Sequence, residues 1–368
     1  MTEKRKNIVT VCLFAVAILG LSIGCWLKTP DAYSDSERRA LQTFPELTWS
    51  TVMSGDFMTE FELYTQDQFP ARDQFRTVKS ICAFYAFSRL DNNDIFIKDG
   101  HISKLDYVQN DPMLDHAAER FDYIYNTYLS SSDADVYLSI VPDKNYFLNQ
   151  NSIYLSLDYD RFVSDMRQRV DYMTYIDITD TLSIDDYYRT DSHWRQERLI
   201  DTARDLASAM GTELTAEYDV NTLDNPFYGV YSGQSALPLS PDQIRYLTND
   251  TLDSCIVTSY DTGKPVPKPM YDMEKAHGKD PYEMFLCGSD ALLTIENPNA
   301  ASDKEIIIFR DSYASSLTPL LAEGYSKITL IDIRYVRSDM LGNLVDFSGH
   351  DVLFIYSSTI LNNSLALK

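Results

Sequence analysis

The sequence predicts an α/β fold: a mostly parallel sheet covered by helices on both faces, with one N-terminal transmembrane helix and one insertion. Three observations predict it. An apolar segment without charges lies near the start, strand-like and helix-like segments alternate through most of the chain, and residues 220–300 break that alternation. Strands that alternate with helices are typical of a parallel sheet, because each crossover needs a covering helix. We therefore expect a cytoplasmic tip and anchor at 1–30, a membrane-proximal segment at 31–75, and an α/β domain at 76–368 with a β or irregular insertion at about 220–300.

The predicted anchor lies at residues 8–27, where no side chain is charged. Twenty helical residues span roughly 30 Å, about the thickness of the hydrocarbon core of a bilayer. Basic residues at 4–6 precede the segment and favour a cytoplasmic N-terminus, so we expect a single-pass cell-membrane protein with an extracytoplasmic C-terminal domain. A cleaved signal peptide is an alternative, although Trp-Leu-Lys at 26–28 lacks the small residues of a cleavage site. A lipoprotein box at 22–25 is a weaker alternative, because Ser22 stands where leucine is usual.

Charge and residue spacing argue against several kinds of site. With a formal net charge of -23 and a pI near 4.5, the surface repels phosphate backbones, so we expect no nucleic-acid partner. The five histidines are scattered, and the five cysteines form no CxxC pair, so we expect no metal site, no diffusible cofactor and no disulfide framework. A single bond between Cys255 and Cys287 stays open.

Each element of the predicted domain follows from its hydrophobic pattern. A helix within residues 54–75 should end before Pro70, because the residue before a proline disfavours the helical conformation. A further helix at 193–211 has a glycine at its C-terminal end. The predicted strands are 134–142, 171–178, 304–309, 327–333 and 351–358, and the other predicted helices are 161–170 and 312–325.

Ser312 follows a buried strand and begins a helix. Ligands of open α/β sheets bind at the carboxyl ends of the strands, and the first N–H groups of a helix lack intrahelical partners. A serine placed there exposes its hydroxyl, and its own backbone N–H can stabilise an oxyanion. The structural alternative is that Asp311 or Ser312 only caps the helix.

Asp191 and His193 are two residues apart at a second junction. In an extended segment, residues i and i+2 project to the same side, so the carboxylate can orient the imidazole. The other ring nitrogen is then free to act as a base on a serine. The alternative is that Asp191 or Ser192 caps the following helix while His193 and Trp194 pack nearby. Together the two motifs predict a catalytic triad of Ser312, His193 and Asp191.

Five further residues are candidates for oxyanion or substrate binding. Lys144 and Asn145 lie just beyond a strand, where Asn145 is an oxyanion donor or simply a turn residue. Arg334 and Tyr335 follow another strand, where Arg334 binds an acyl donor, a glycan or a carboxylate, or forms a structural salt bridge. Tyr313 follows the nucleophile and contacts substrate or only packs.

Several segments resemble one protein family in their order and spacing. They are SERRALQTFPELTW, SGDF, QFPARDQF, IFIKDGHI, VPDKNYFL, TDSHW, NPFYGVY and IFRDSYASSLTPLL, and they extend over most of the chain beyond the anchor. The chain resembles the DHHW family and, more distantly, the alginate O-acetylation proteins of the SGNH hydrolase superfamily. It departs from the family tetrapeptide at Ser192, which replaces the first histidine and leaves the predicted triad intact.

The resemblance implies a three-layer α/β/α SGNH-hydrolase-like fold with permuted motif order, since Asp191 and His193 precede Ser312. It also implies action on a cell-surface or exported polysaccharide. The expected function is an extracytoplasmic O-acetyltransferase, with a membrane-bound O-acyltransferase partner that supplies acetyl groups. A carbohydrate acetyl esterase and a non-catalytic glycan-binding or assembly protein of the same fold are the alternatives.

Overall fold

The computed structural model describes residues 2–150 and 152–368, which divide into two units. The first unit consists of Met1–Asn93 and Ser232–Leu239, and the second of Asp94–Tyr231 and Ser240–Lys368. The candidate triad lies wholly within the second unit, so its geometry follows from the packing of that unit.

Helix α1 (Glu3–Leu27) opens the first unit and contains the predicted anchor. It is long and apolar enough to cross a membrane, and a signal sequence has the same properties. The predicted helix end before Pro70 is confirmed, because the third helix stops at Asp67. The remaining elements are β1 (Tyr33–Ser34), β2 (Arg39–Ala40), α2 (Trp49–Ser54), α3 (Asp56–Asp67), α4 (Arg72–Ile81), a π-helical turn (Cys82–Ala86) and β3 (Asp91–Asn92).

Beyond residue 93 the chain alternates strands and helices, as predicted. The strands are β4 (Ile95–Lys98), β5 (His101–Lys104), β6 (Val136–Val141), β7 (Thr174–Tyr175), β8 (Asp219–Thr222), β9 (Arg245–Thr248), β10 (Ile256–Ser259), β11 (Val266–Lys268), β12 (Leu292–Glu296), β13 (Glu305–Arg310), β14 (Lys327–Ile331) and β15 (Asp351–Ser357). The helices are α5 (Asp111–Ile124), α6 (Lys144–Leu148), α7 (Tyr159–Arg169), α8 (Ile200–Ala209), α9 (Val230–Ser235), α10 (Asp250–Ser254), α11 (Met273–Ala276), α12 (Ala314–Leu321) and α13 (Ser358–Leu361).

An eight-stranded mixed sheet forms the centre of the second unit, in the order β11-β10-β12-β14-β13-β15-β6-β7. The five strands from β14 to β7 are parallel, and β12, β10 and β11 add antiparallel pairs at one side. The strand that precedes the candidate nucleophile, β13, is therefore central and has a parallel partner on each side.

Helices cover both faces of this sheet. Ile306 and Ile308 of β13 belong to one hydrophobic cluster, which also contains residues of α8 and α12. Ile307 and Phe309 belong to a second cluster with residues of α5 and α7. Side chains of a strand alternate between faces, so a strand buried on both faces reads as an uninterrupted apolar run. This is why the segment IIIF predicts a central strand.

The helix predicted at 193–211 is shorter than expected. A 3-10 turn occupies Gln196–Arg198, and α8 begins only at Ile200. Before it the backbone pairs with the preceding segment: the N–H of Tyr188 donates to the carbonyl of His193 at 3.0 Å. The prediction was wrong at its N-terminal end, because this local pairing, together with the contacts of His193 and Trp194 to the turn after β13, outweighs the helix propensity.

Two other predictions change in extent. The strand predicted at 171–178 is reduced to Thr174–Tyr175, an edge strand that pairs with β6. The 220–300 insertion does contain strands, but β10, β11 and β12 continue the central sheet instead of forming a separate appendage. Their alternating pattern is interrupted by prolines and turns, so the hydrophobic period alone does not reveal which sheet they join.

Candidate active site

Ser312 lies in the turn between β13 and α12, and its hydroxyl points to an imidazole instead of capping the helix. Ser312 Oγ is 2.8 Å from His193 Nε2. The neighbouring Asp311 is fully buried and organises the turn, since its carboxylate accepts from the N–H of Tyr313 at 3.0 Å and from that of Ser357 at 2.7 Å. The turn is thus tied to the end of β15, and the Ser312 side chain is left to contact His193.

The other side of the imidazole contacts Asp191. His193 Nδ1 is 2.6 Å from Asp191 Oδ1, which also accepts from the His193 N–H at 3.1 Å. The second carboxylate oxygen accepts from the N–H of Val230 at 2.8 Å. Asp191 is fully buried, whereas the His193 side chain is 15% exposed. A carboxylate held on both oxygens can fix one tautomer of the imidazole, with a proton on Nδ1 and a lone pair on Nε2 toward the serine.

Aromatic rings enclose His193. Tyr282 stacks on the imidazole with ring centroids 3.9 Å apart and planes 15° from parallel, and Tyr313 lies at 5.0 Å with a tilt of 50°. Burial raises the pKa of both phenols, so both keep their protons. The Tyr282 hydroxyl is hydrogen-bonded to Ser316 Oγ at 2.9 Å, and the Tyr313 hydroxyl donates to the carbonyl of Ser192 at 2.8 Å. The two rings therefore fix the plane of the base.

Trp194 links the segment that carries His193 to the turn that carries Ser312. Its fully buried indole N–H lies 2.9 Å from the carbonyl of Tyr313 and 3.0 Å from Ser316 Oγ. A buried indole N–H needs such a partner, and here the partner is the first turn of α12. Trp194 thus holds the segment that carries His193 against α12, the helix that follows Ser312.

The structure does not bring Lys144 and Asn145 to Ser312. Both are buried on α6. The Asn145 amide donates to the carbonyl of Lys104 at 2.7 Å and accepts from Ser103 Oγ at 2.8 Å, so its donor is engaged away from the serine. The Lys144 ammonium is bonded to main-chain carbonyls, among them that of Asp191 at 3.1 Å.

Arg334 and Tyr335 do reach the site. With Ser312, His193, Tyr282 and Ser315 they line a cleft of about 190 Å³. Arg334 also makes the predicted structural salt bridge, since Nε and Nη2 contact the two oxygens of the buried Asp332 at 2.9 and 2.6 Å. Burial opposes the charge of Arg334, but the hydrogen bond and charge of Asp332 outweigh it and raise the pKa of the guanidinium. Arg334 is thus a fixed cation at the cleft, and Tyr335 is a half-exposed ring beside it.

Sequence reasoning missed several residues of this site. Tyr282 lies far from both motifs in the sequence, within the insertion, and no pattern signals its stacking. Gly229 and Val230 belong to the segment NPFYGVY, which carries the family resemblance but had no assigned role. A Cβ at Gly229 would lie 2.4 Å from the Asp191 Cβ, so the glycine permits the close approach that the Val230 bond requires.

Thiols and metal ligands add nothing to this site. All five cysteines are free thiols, including Cys255 and Cys287. Among residues 2–150 and 152–368, no three or more His, Cys, Asp or Glu side chains are grouped to hold a metal ion.

No protein-family model and no curated protein matches this chain, but solved structures do. A DHHW family protein from Eubacterium siraeum aligns over 75% of this chain and 95% of its own, with 19% identity and a TM-score of 0.61. PatB1 of Bacillus cereus aligns over 73% of this chain and 97% of its own, with 17% identity and a TM-score of 0.59. The O-acetyltransferase domain of Pseudomonas putida AlgJ aligns over 74% and 93%, with 12% identity and a TM-score of 0.44.

The predicted resemblance is confirmed to this extent: the structural neighbours include a DHHW family protein and AlgJ. The likeness to AlgJ is too distant to support an argument. At 19% and 17% identity the other two show a shared fold and do not transfer an activity. The mixed α/β domain of this chain therefore has the fold of a solved DHHW family protein.

Proposed function

We propose that this chain is an extracytoplasmic O-acetyltransferase that acts on a cell-surface or exported polysaccharide through Ser312, His193 and Asp191. One observation carries the proposal. A continuous chain of hydrogen bonds runs from the Ser312 hydroxyl through the imidazole to a buried carboxylate, with distances of 2.8 and 2.6 Å. A structural serine or histidine has no need of this arrangement, whereas a serine nucleophile requires an adjacent base and an oriented base.

The proposed first half-reaction transfers the acyl group to the protein. His193 Nε2 takes the hydroxyl proton as Ser312 Oγ attacks the carbonyl carbon of an acetyl ester. Asp191 stabilises the imidazolium, and the backbone N–H of Ser312 faces the oxyanion of the tetrahedral intermediate. The intermediate collapses to acetyl-Ser312, and His193 returns the proton to the leaving alcohol.

The proposed second half-reaction releases the acetyl group to a sugar. A glycan hydroxyl enters the cleft, gives its proton to His193 Nε2 and attacks the acetyl carbonyl. As the second tetrahedral intermediate collapses, the bond between Ser312 Oγ and the acetyl carbon breaks and His193 Nε2 returns the proton to Ser312 Oγ. The products are the acetylated glycan and free Ser312, and no metal or redox cofactor takes part. Arg334 and Tyr335, at the cleft wall, are the candidates for positioning the donor or the acceptor.

Transfer and hydrolysis differ only in the nucleophile that reaches acetyl-Ser312. A transferase must hold the sugar and limit the access of water to the intermediate. Two features support transfer. The cleft of about 190 Å³ is narrow, and the insertion supplies Tyr282, whose ring covers one face of His193.

The proposed function also includes a membrane topology. We propose that α1 stays uncleaved as a single span, with residues after it on the outer side, because basic residues precede the apolar segment. A membrane-bound O-acyltransferase partner would then pass acetyl groups outward to Ser312. This placement would suit a polymer that is modified as it is exported.

The test uses the purified protein, an activated acetyl ester and candidate oligosaccharides, with products weighed by mass spectrometry. We expect an oligosaccharide heavier by one acetyl group, and its loss in Ser312→Ala and His193→Ala. Removal of a triad member typically lowers kcat by about four to six orders of magnitude. Ser208→Ala is the matched control, because this serine is exposed on α8, away from Ser312 and His193.

A sulfonyl fluoride provides a second readout, since such reagents modify activated serines. A solved structure of Bacillus cereus PatB1 contains a sulfonyl adduct, which motivates the choice of probe. Free acetate alone, at a rate that no glycan changes, would favour the esterase. The absence of both turnover and Ser312 labelling in the wild type would favour the non-catalytic glycan-binding protein.

A further inference from the structure

Lys144 is a buried cation that the proposed mechanism does not use. It is 1% exposed, and four main-chain carbonyl oxygens lie within hydrogen-bond distance of its ammonium, which shares its three N–H donors among them. Those carbonyls belong to Ile102, Tyr188 (2.9 Å), Arg189 (3.1 Å) and Asp191 (3.1 Å). These carbonyls surround the nitrogen, so the Lys144 ammonium stabilises the protein backbone instead of binding a ligand.

Three of the four carbonyls lie in the short segment 188–191, directly before His193. This segment is also held from its other side: the Thr190 N–H donates to Asp242 at 2.7 Å, and Asp191 accepts from Val230. A buried carbonyl without a hydrogen-bond partner is costly, and outside a regular strand or helix the donor must come from elsewhere in the fold. The Arg189 carbonyl also accepts from the N–H of Ile102 at 2.8 Å. The ammonium adds contacts to this carbonyl and to those of Tyr188 and Asp191, which fixes the backbone from which Asp191 projects.

The charge of Lys144 acts on the same aspartate. Burial lowers the pKa of Lys144 to about 7, and Asp191 is the strongest influence that opposes this effect. The four carbonyls also favour the charged form, because an ammonium has three N–H donors and a neutral amine has two. The groups that surround the ammonium are Asp143, Asp191, Asp242, His101 and the ring of Tyr231.

We propose that Lys144 is a positioning residue of the triad, which holds the 188–191 segment and supplies a positive charge that keeps Asp191 ionised. The proposal rests on the proposed function of Ser312, His193 and Asp191. A cation near the Asp191–His193 pair disfavours the protonated imidazole, so it extends activity to lower pH. Loss of the cation must therefore shift the acidic limb of the pH–rate profile toward higher pH.

The experiment measures two rates from pH 4.5 to 9, a range whose acidic part keeps Lys144 charged: turnover of an activated acetyl ester, and modification of Ser312 by phenylmethylsulfonyl fluoride. We expect Lys144→Met to shift the acidic limb upward by about one to two pH units, the size expected for a unit charge roughly 6–12 Å away at an effective dielectric constant near 20. We also expect kcat to fall by about 10- to 100-fold with KM within about twofold. Lys104→Met is the matched control, because the Lys104 side chain is exposed on β5, and it should change neither quantity.

Two further variants separate charge from folding. Lys144→Arg keeps the charge and should retain the wild-type acidic limb even if kcat falls. Lys144→Gln keeps N–H donors without charge and should shift the limb, which tests the proposal even if Lys144→Met does not fold.

Two outcomes would overturn the inference. Identical acidic limbs in the wild type, Lys144→Arg and Lys144→Gln would show that the charge has no role, while the triad proposal would stand. A wild type that neither turns over ester nor reacts at Ser312 would overturn the triad proposal, and the role of Lys144 with it.

Discussion

At the scale of single residues, the site combines a reactive chain of hydrogen bonds with side chains that fix its geometry. Ser312, His193 and Asp191 form the chain, and Tyr282 restricts the imidazole by stacking on it at 3.9 Å. In the proposed mechanism, a ring parallel to the imidazole would also stabilise the imidazolium that forms as the serine proton leaves, because the face of an aromatic ring is electronegative. We therefore propose that the stack favours the transition state over the ground state.

Replacement of this ring tests that role. We expect Tyr282→Leu to lower kcat for acetyl-ester turnover by about 10-fold, since a stacked pair contributes about 0.5–1.5 kcal/mol and 1.4 kcal/mol corresponds to tenfold in rate. Tyr282→Phe keeps the ring and loses only the bond to Ser316, so its kcat should stay within about threefold of the wild type. Equal rates in the two variants, both folded by circular dichroism, would contradict the stacking role.

At the scale of elements, the site is made by two junctions that lie side by side. The turn after β13 presents Ser312, and the extended segment before α8 presents Asp191 and His193. The Trp194 indole N–H donates to the carbonyl of Tyr313 and so connects the second junction to the first. A rigid connection of this kind keeps reacting groups within the narrow distances that proton transfer requires.

Gly229 tests how closely the second junction must be packed. A methyl group at this position would lie 2.4 Å from the Asp191 Cβ and from the carbonyl oxygen of Thr190, so Gly229→Ala must displace the segment that carries the triad carboxylate. We expect a loss of stability of about 1–3 kcal/mol from overpacking and a fall in kcat of about 100-fold. Chemical denaturation and ester turnover measure the two effects.

Gly263→Ala is the control for the glycine itself. Gly263 has a φ of +73° and no atom within 4 Å of an added Cβ, so the change has only a backbone cost of about 1 kcal/mol. Activity should be unchanged. Comparable losses of activity in both variants would indicate that general destabilisation, and not displacement of Asp191, explains the Gly229 result.

The elements were predictable to different degrees. The strand before the nucleophile turn and its sheet neighbour were predicted nearly to the residue, because β13 and β15 are buried on both faces and their sequences are uninterrupted apolar runs. The helix at 193–211 was predicted seven residues too early, since its first residues have helical spacing but pair as an extended segment. Tyr282 and Lys144 gained their positions only from contacts across large sequence distances, which no local pattern encodes.

At the scale of the whole molecule, charge and hydrophobicity are unevenly distributed along the chain. The formal net charge is -23, yet residues 8–27 are without charge and follow three basic residues. A strongly acidic surface favours solubility and repels other anionic molecules, while the apolar helix has the length and composition of a membrane span or a signal sequence. The proposed function requires that the residues after α1 lie on the outer side of the membrane.

Protease treatment of intact cells tests this topology. We expect a protease added outside, after removal of any wall, to digest an epitope tag at the C-terminus and to leave a tag at the N-terminus protected, because the basic residues at 4–6 hold that end inside. Cells opened by detergent should lose both tags. A protected C-terminal tag, or a mature protein that begins near residue 27, would contradict the single-span anchor.

The sequence by itself determined the α/β rhythm, the central strands, the apolar N-terminal helix and the identities of Ser312, His193 and Asp191 as candidates. These features are local: periodicity, runs of apolar residues and residue types at junctions depend on neighbours in the chain. Only the tertiary structure decided that the insertion completes the sheet, that Asn145 faces away from the serine, and that Arg334 faces the cleft. It also decided the distances of 2.8 and 2.6 Å within the candidate triad. Those outcomes depend on packing between residues up to 119 positions apart, and the free energy of such contacts is not encoded in any single segment.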